Sequence, residues 1–291
     1  TYIEINLDSD VEFSFYIGNK PSDNQTTMTC TVDWGDDTIE TKTITKDTYG
    51  FKLAHNYVAG SYKIELYDVE RDYSIVGDVT NTKSLISHPS SVKRVVLGDD
   101  VVNISTRAFF ECTSLTSIYI SKRVTSIGFM GFNSCTSLKS INIPESVTSI
   151  GGWSLSGGIF VSVYIPESVT YIGDGAFYLC PSLKSIYLPK GITSIGPNAF
   201  YKCYSLKSID IPEKITSIGG GAFDSCRSLT SIDIPEGVTT INNQAFYNCT
   251  SLKSIYLPKG ITSIGLNAFA YCTSLKSIDI PEKITSIGGG A

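Results

Sequence analysis

Cysteine is the residue type best suited to chemistry in this chain, and its spacing decides which chemistry. Seven of the eight, Cys112, Cys135, Cys180, Cys203, Cys226, Cys249 and Cys272, hold one slot of a repeated segment, 20 residues after its first position. One thiol per repeat leaves no ligand pair within a repeat, and neither His55 nor His88 lies at zinc-ligand spacing from any of them. The pattern predicts a column of small, buried free thiols, not a disulfide framework. Cys30 stands alone, so cysteine usage says little about compartment. Asp33, Asp36 and Asp37 could ligate calcium, or their side chains could bond the backbone of a tight turn; EF-hand spacing is absent. His55 reads as a packed residue beside an aromatic strand. There is no Ser–His–Asp set, Cys–His pair, H-E-x-x-H or paired carboxylates in a cleft, and the glycines at 219–221 lack the lysine of a phosphate loop. The expectation is no catalytic residue, no metal and no cofactor.

The elements that position these residues are copies of one segment. A consensus copy, 206–228, reads LKSIDIPEKITSIGGGAFDSCRS. Its first residue recurs at Val92, Leu115, Leu138, Phe160, Leu183, Leu206, Leu229, Leu252 and Leu275, every step being 23 except the 22 from Leu138 to Phe160. A fixed period in this range marks a stacked solenoid, which offers a long surface and not a pocket; recognition is expected ahead of catalysis. Alternating Ile209 and Ile211 make a short half-buried strand, which Pro212 ends. A second extended stretch, KITSI, follows. Gly219 is expected at positive φ in a turn, a reading that Asn242 in the same slot supports. Phe223 and Cys226 close the far wall. One coil cannot bury these side chains alone; parallel strands of neighbouring coils pair about 4.8 Å apart. Ser117, Ser140, Ser162, Ser185, Ser208, Ser231, Ser254 and Ser277 share a slot and are expected to form a hydroxyl ladder.

The slot between the two inward apolar residues of each strand must face outward. It holds Val96, Tyr119, Asn142, Tyr164, Tyr187, Asp210, Asp233, Tyr256 and Asp279. A flanking outward slot holds Lys139, Lys184, Lys207, Lys253 and Lys276. Tyrosine is favoured on binding surfaces, so this column, with Tyr119, Tyr164, Tyr187, Tyr256 and Lys139, Lys184, Lys207, Lys253 as candidate residues, is the expected face for a protein or glycan. A solvated face whose tyrosines satisfy cross-strand packing is the alternative.

The repeat resembles the BspA-like leucine-rich repeats, with their L-x-x-I-x-I-P-x-x-V-T-x-I-G-x-x-A-F-x-x-C signature. The copies at Leu183, Leu206, Leu229 and Leu252 carry it almost residue for residue. The resemblance implies a leucine-rich-repeat solenoid on a secreted or surface-attached bacterial protein, and adhesion to host or neighbouring-cell molecules. Two departures stand out. The coil from Leu138 is one residue short, replaces Ala-Phe with Ser154-Leu155 and lacks the cysteine. Trp153 beside it reads as a filler for the missing Phe or as an exposed anchor. The chain stops at Ala291 inside a coil, so a continuing parent protein is expected. The stretch 205–222 recurs identically at 274–291, three coils on, which indicates block duplication.

Residues 1–85 lack the repeat and differ in charge: 7 Lys+Arg against 15 Asp+Glu, a balance of −8, where 86–291 carry +3. Neither part is basic enough for a nucleic-acid footprint, and no apolar run approaches the ~20 residues that span a bilayer. Segments such as TYIEINL, VEFSFYI, TMTCTVDW and SYKIELYD alternate as strands of a small β-sandwich. The run Val32-Asp33-Trp34-Gly35-Asp36-Asp37, followed by His55, Tyr57, Gly60 and Tyr62, resembles the PKD-type immunoglobulin-like domain, although Asp37 and Asn56 depart from its pattern. The resemblance implies an extracellular module. The expected architecture is an N-terminal β-sandwich, residues 1–85, capping a parallel solenoid of 23-residue period, residues 86–291. The expected function is non-enzymatic adhesion at a bacterial cell surface. A structural spacer and a carbohydrate-binding accessory module are the alternatives.

Overall fold

The computed structural model describes residues 2–19, 27–45, 51–67, 73–75, 86–99 and 101–291. The chain forms two compact units, Thr1–Val147 and Thr148–Ala291, so 23-residue coils belong to both. Most of the stretch leading up to the change of sequence character at 85/86, residues 76–85, lies outside the described residues.

The first unit begins with β1 (Tyr2–Leu7), β2 (Val11–Asn19), β3 (Thr27–Asp33), β4 (Ile39–Thr45), β5 (Phe51–Tyr57), β6 (Gly60–Tyr67) and β7 (Tyr73–Ile75). Alternation places Ile3, Ile5 and Leu7 of β1 inward, with Phe13, Phe15, Val32, Trp34, Leu53 and Ile64 completing the core. The coil strands β8 (Val92–Val96), β9 (Val101–Ile104), β10 (Ser117–Tyr119) and β11 (Ser126–Ile127) follow. One sheet runs β10-β8-β1-β6-β3-β4, antiparallel except where β10 meets β8. The other runs β11-β9-β7-β2-β5, parallel from β11 to β7 and antiparallel beyond. The first coil is therefore hydrogen-bonded directly to N-terminal strands, with Ile3 opposite Val95 and Ile75 opposite Ile104.

The second unit is a parallel β-solenoid whose register advances one repeat at a time. Ser162–Tyr164 pairs with Ser185–Tyr187 and Ser231–Asp233 with Ser254–Tyr256 on one wall. Ser194–Ile195 pairs with Ser217–Ile218, and Thr240–Ile241 with Ser263–Ile264 and then Ser286–Ile287, on the next. Inside, Phe177, Phe200, Phe223, Phe246 and Phe269 stack with centroids 5.4–5.6 Å apart. Phe109 and Phe132 repeat the arrangement in the first unit at 5.2 Å.

All eight cysteines are free and buried. They are more than apolar filler. Each thiol from the second coil onward donates to the main-chain carbonyl at the Phe position of the preceding coil: Cys135 to Phe109, Cys203 to Phe177, Cys226 to Phe200, Cys249 to Phe223 and Cys272 to Phe246, at 3.1–3.2 Å. Burial pushes the Cys135 and Cys180 thiols up to about 12, which suppresses thiolate chemistry.

Three expectations need correction. Gly219 is not at positive φ. Its N–H donates to Ile195 O at 2.8 Å, and a Cβ there would stand 2.3 Å from the Pro197 nitrogen of the preceding coil. Close approach of two main chains, not a left-handed turn, excludes the side chain. The positive φ falls two residues later, at Gly221 (+62°). Asn242 holds the glycine slot without a positive φ; its amide donates to Ile218 O at 2.6 Å. Second, the serine slot is exposed along its length. The hydroxyl ladder belongs to threonines of the second extended stretch, as where Thr216, Thr262 and Thr285 donate to the carbonyls of Thr193, Thr239 and Thr262.

Third, Trp153 does not fill the gap in the short coil. It is half-buried on the outer wall, 4.5 Å from the Tyr178 ring and against Gly175. Leu155 takes the Phe position, and its carbonyl receives the Cys180 thiol at 3.2 Å. Gly158 stands where other coils have cysteine, and a Cβ on it would lie 2.0 Å from the Phe160 ring. Phe160, where other coils have leucine or valine, therefore occupies the volume of the missing cysteine.

Candidate functional site

The outward strand slot is positioned by the inward pair that flanks it. In the strand of Ser185–Tyr187, Ile186 and Leu188 are buried, which turns Tyr187 to solvent. Tyr119, Tyr164, Tyr187 and Tyr256 are 56%, 52%, 40% and 47% exposed, values that mark them as surface rings although their strands are core. Lys139, Lys184, Lys207 and Lys253 are exposed as well. Tyr119 and Lys139 belong to the first unit and the other six to the second.

Parallel register brings some of these rings together. Tyr164 is the strand partner of Tyr187, and the rings stack at 5.1 Å with an interplanar angle of 17°. Tyr256 has Asp233 as its partner instead, so it stands beside a carboxylate.

Two residues that composition did not single out fix the tyrosine hydroxyls. Tyr187 donates to Glu167 Oε1, whose other oxygen accepts the Lys190 N–H at 2.9 Å. Tyr256 donates to Glu236 Oε1 at 2.7 Å. The Tyr187 bond, with the Lys190 N–H, holds the Glu167 carboxyl below the ordinary value; the same bond raises the Tyr187 hydroxyl. Both glutamates follow the coil's proline and precede their tyrosine by 20 residues. That spacing was the available signal, because it is one repeat less three residues.

The acidic turn of the first unit is built differently. Gly35 N–H bonds Asp33 Oδ1 at 2.8 Å and Thr38 N–H bonds Asp36 Oδ1 at 3.2 Å, with Gly35 and Asp37 at positive φ. Asp36 Oδ2 lies 2.8 Å from His55 Nε2, and His55 stacks on buried Trp34 at 5.0 Å. Tyr57 donates to the Trp34 carbonyl at 2.9 Å. Burial raises the Asp36 carboxyl, but the bonds from His55 and Thr38 outweigh it and hold the group below its ordinary value. These are the contacts of a packed turn. Among the described residues no three His, Cys, Asp or Glu side chains converge on a metal position, and no helix is long and apolar enough to cross a membrane.

A family model described as the BspA type leucine rich repeat region matches residues 102–226 and 193–291. Among solved structures, a leucine-rich repeat protein of T. pallidum is 26% identical with a TM-score of 0.48, over 72% of this chain and 85% of that one. One from Bacteroides ovatus is 21% identical with a TM-score of 0.44, over 93% and 92%. The pneumococcal vaccine antigen PcpA is 18% identical with a TM-score of 0.42, over 75% and 69%. No curated protein matches the chain.

Proposed function

Because the chain belongs to the BspA-type leucine-rich repeat family, we propose that it is a non-enzymatic recognition protein of a bacterial cell surface. It binds a protein or glycan of a host or neighbouring cell through the outward strand face of its coils. The observation that carries this reading is the stacked Tyr164–Tyr187 pair, exposed on a parallel strand pair, with exposed Lys184 three residues before Tyr187 in the chain. Large rings held in one geometry lose little entropy when a partner covers them. The hydrogen bond from Tyr187 to Glu167 adds to this preorganisation. Residues 1–85, read as a PKD-like sandwich, serve as the N-terminal cap, since strand pairing of β1 with β8 satisfies an edge that would otherwise be open.

The test is a binding screen against immobilised extracellular-matrix proteins and a glycan array, with a Tyr164→Ala/Tyr187→Ala variant alongside. Saturable binding that the variant loses, with its circular dichroism unchanged, supports the reading. Binding that survives in the variant removes the tyrosine face from it. Silence on both panels favours a structural spacer.

A further inference from the structure

The strand face changes character along the second unit. From Tyr187 onward, each outward strand residue follows, by 20 positions, the residue after the preceding coil's proline. Most of these neighbours are complementary. Tyr187 and Tyr256 bond Glu167 and Glu236. Asp210 follows Lys190, and Asp279 follows Lys259. Asp233 breaks the rule, because its predecessor is Glu213. Both carboxylates are exposed, and neither makes an ion pair among the described residues.

This mismatch lies in a depression of about 690 Å³. Glu213, Asp233 and Glu236 form its acidic rim, Tyr256 one wall, and Ile211 and Ile234 part of its lining. Glu236 is already oriented by the Tyr256 hydroxyl. Like charges on one rim repel, and a cation between them relieves that repulsion.

We propose that this depression receives an arginine side chain from an extended segment of a partner protein. The inference rests on the reading of the strand face as a recognition surface and names the chemistry of its partner. A guanidinium presents planar donors to two carboxylates at once, stacks on a tyrosine ring and lays its methylene stem on apolar surface. A lysine ammonium supplies the charge alone. The lysines of the face do not line the depression, so they leave its rim acidic.

The test is fluorescence anisotropy of labelled hexa-arginine, hexalysine and hexaglutamate peptides on the full chain. Wild type is compared with Glu213→Gln/Asp233→Asn and with Asp279→Asn/Glu282→Gln, which removes the same charge from another coil. Hexa-arginine binds wild type most tightly, loses about tenfold in affinity in the first variant, and changes by less than about twofold in the second. Equal losses in the two variants mean general attraction to an acidic protein and overturn the proposal, as does no binding to wild type. Equal affinity for hexalysine overturns the arginine assignment. The Tyr164→Ala/Tyr187→Ala variant separates the two readings. If it loses a screened partner while Glu213→Gln/Asp233→Asn keeps the peptide, the arginine site falls and the tyrosine face stands. If the reverse holds, the tyrosine face falls.

Discussion

The coil at 206–228 and the shorter one at 138–159 close the same far wall with different side chains. In the regular coil Ala222, Phe223 and Cys226 are fully buried, and the Cys226 thiol reaches the Phe200 carbonyl. In the short coil Ser154, Leu155 and Gly158 hold those positions, and the ring of Phe160 enters from the start of the next coil. The hydrogen bond that spans coils survives the exchange, because the acceptor is main chain: Cys180 donates to Leu155 as its counterparts donate to Phe. A solenoid therefore constrains backbone register more strictly than the identity of any one core side chain. Volume can be supplied by a neighbour, whereas a carbonyl must stay where the next thiol and N–H groups expect it.

The largest effect is expected from breaking the regular coil at its closest backbone approach. Gly219→Ala puts a Cβ into the Pro197 main chain and costs roughly 3 kcal/mol in urea unfolding. Gly219→Asn, although bulkier, costs less, because its amide can bond the preceding coil as Asn242 does. Equal losses for the two would remove the amide-replacement argument.

Next comes the exchange between Gly158 and Phe160. Gly158→Cys alone overpacks and costs about 2 kcal/mol, and Phe160→Leu alone leaves a cavity and costs about 1–2 kcal/mol. The double variant restores the consensus pair, so its loss should fall short of the sum by at least about 1 kcal/mol. Additive losses would mean that the ring and the missing cysteine do not share a volume.

A smaller gain is expected at Ser154, whose buried hydroxyl has no hydrogen-bond partner where most other coils have alanine. Ser154→Ala should stabilise by about 1 kcal/mol, read as a raised urea midpoint with unchanged slope.

The smallest effect belongs to the one misfit of the regular coil. Asp224 is buried at a wall position that neighbouring coils give to Tyr201 and Tyr247, and burial raises its carboxyl above 3.8 despite the Ser225 hydroxyl and Lys202. A raised folded-state value means that its contribution is fully present below the unfolded value and is lost as pH rises through the folded one. Asp224→Asn should therefore stabilise at neutral pH by about 0.5 kcal/mol, with the advantage vanishing as pH falls below 3.8. An advantage independent of pH would assign it to packing.

The period, the inward slots and the outward column of tyrosines and lysines were legible in the residues, because stacking in steps of 23 turns sequence spacing directly into spatial adjacency. The glutamates that hold Tyr187 and Tyr256 were legible in principle by the same arithmetic and were missed because they sit one coil away from the residues they fix. The antiparallel strands of the first unit were visible as alternation in TYIEINL and its neighbours.

Sequence by itself determined where each residue stands around the coil, since a repeat with one hydrophobic pattern has one way to face its core. Tertiary structure alone decided what each residue meets across the coils: the main chain that forbids a Cβ at Gly219, the carbonyl that receives each thiol from the second coil onward, and the ring that stands in for a cysteine at Gly158. It also decided that β8 continues into β1 and β9 into β7. The physical reason is common to all of these. Periodicity fixes direction, while steric exclusion and hydrogen-bond satisfaction depend on distances between atoms that are remote in the chain.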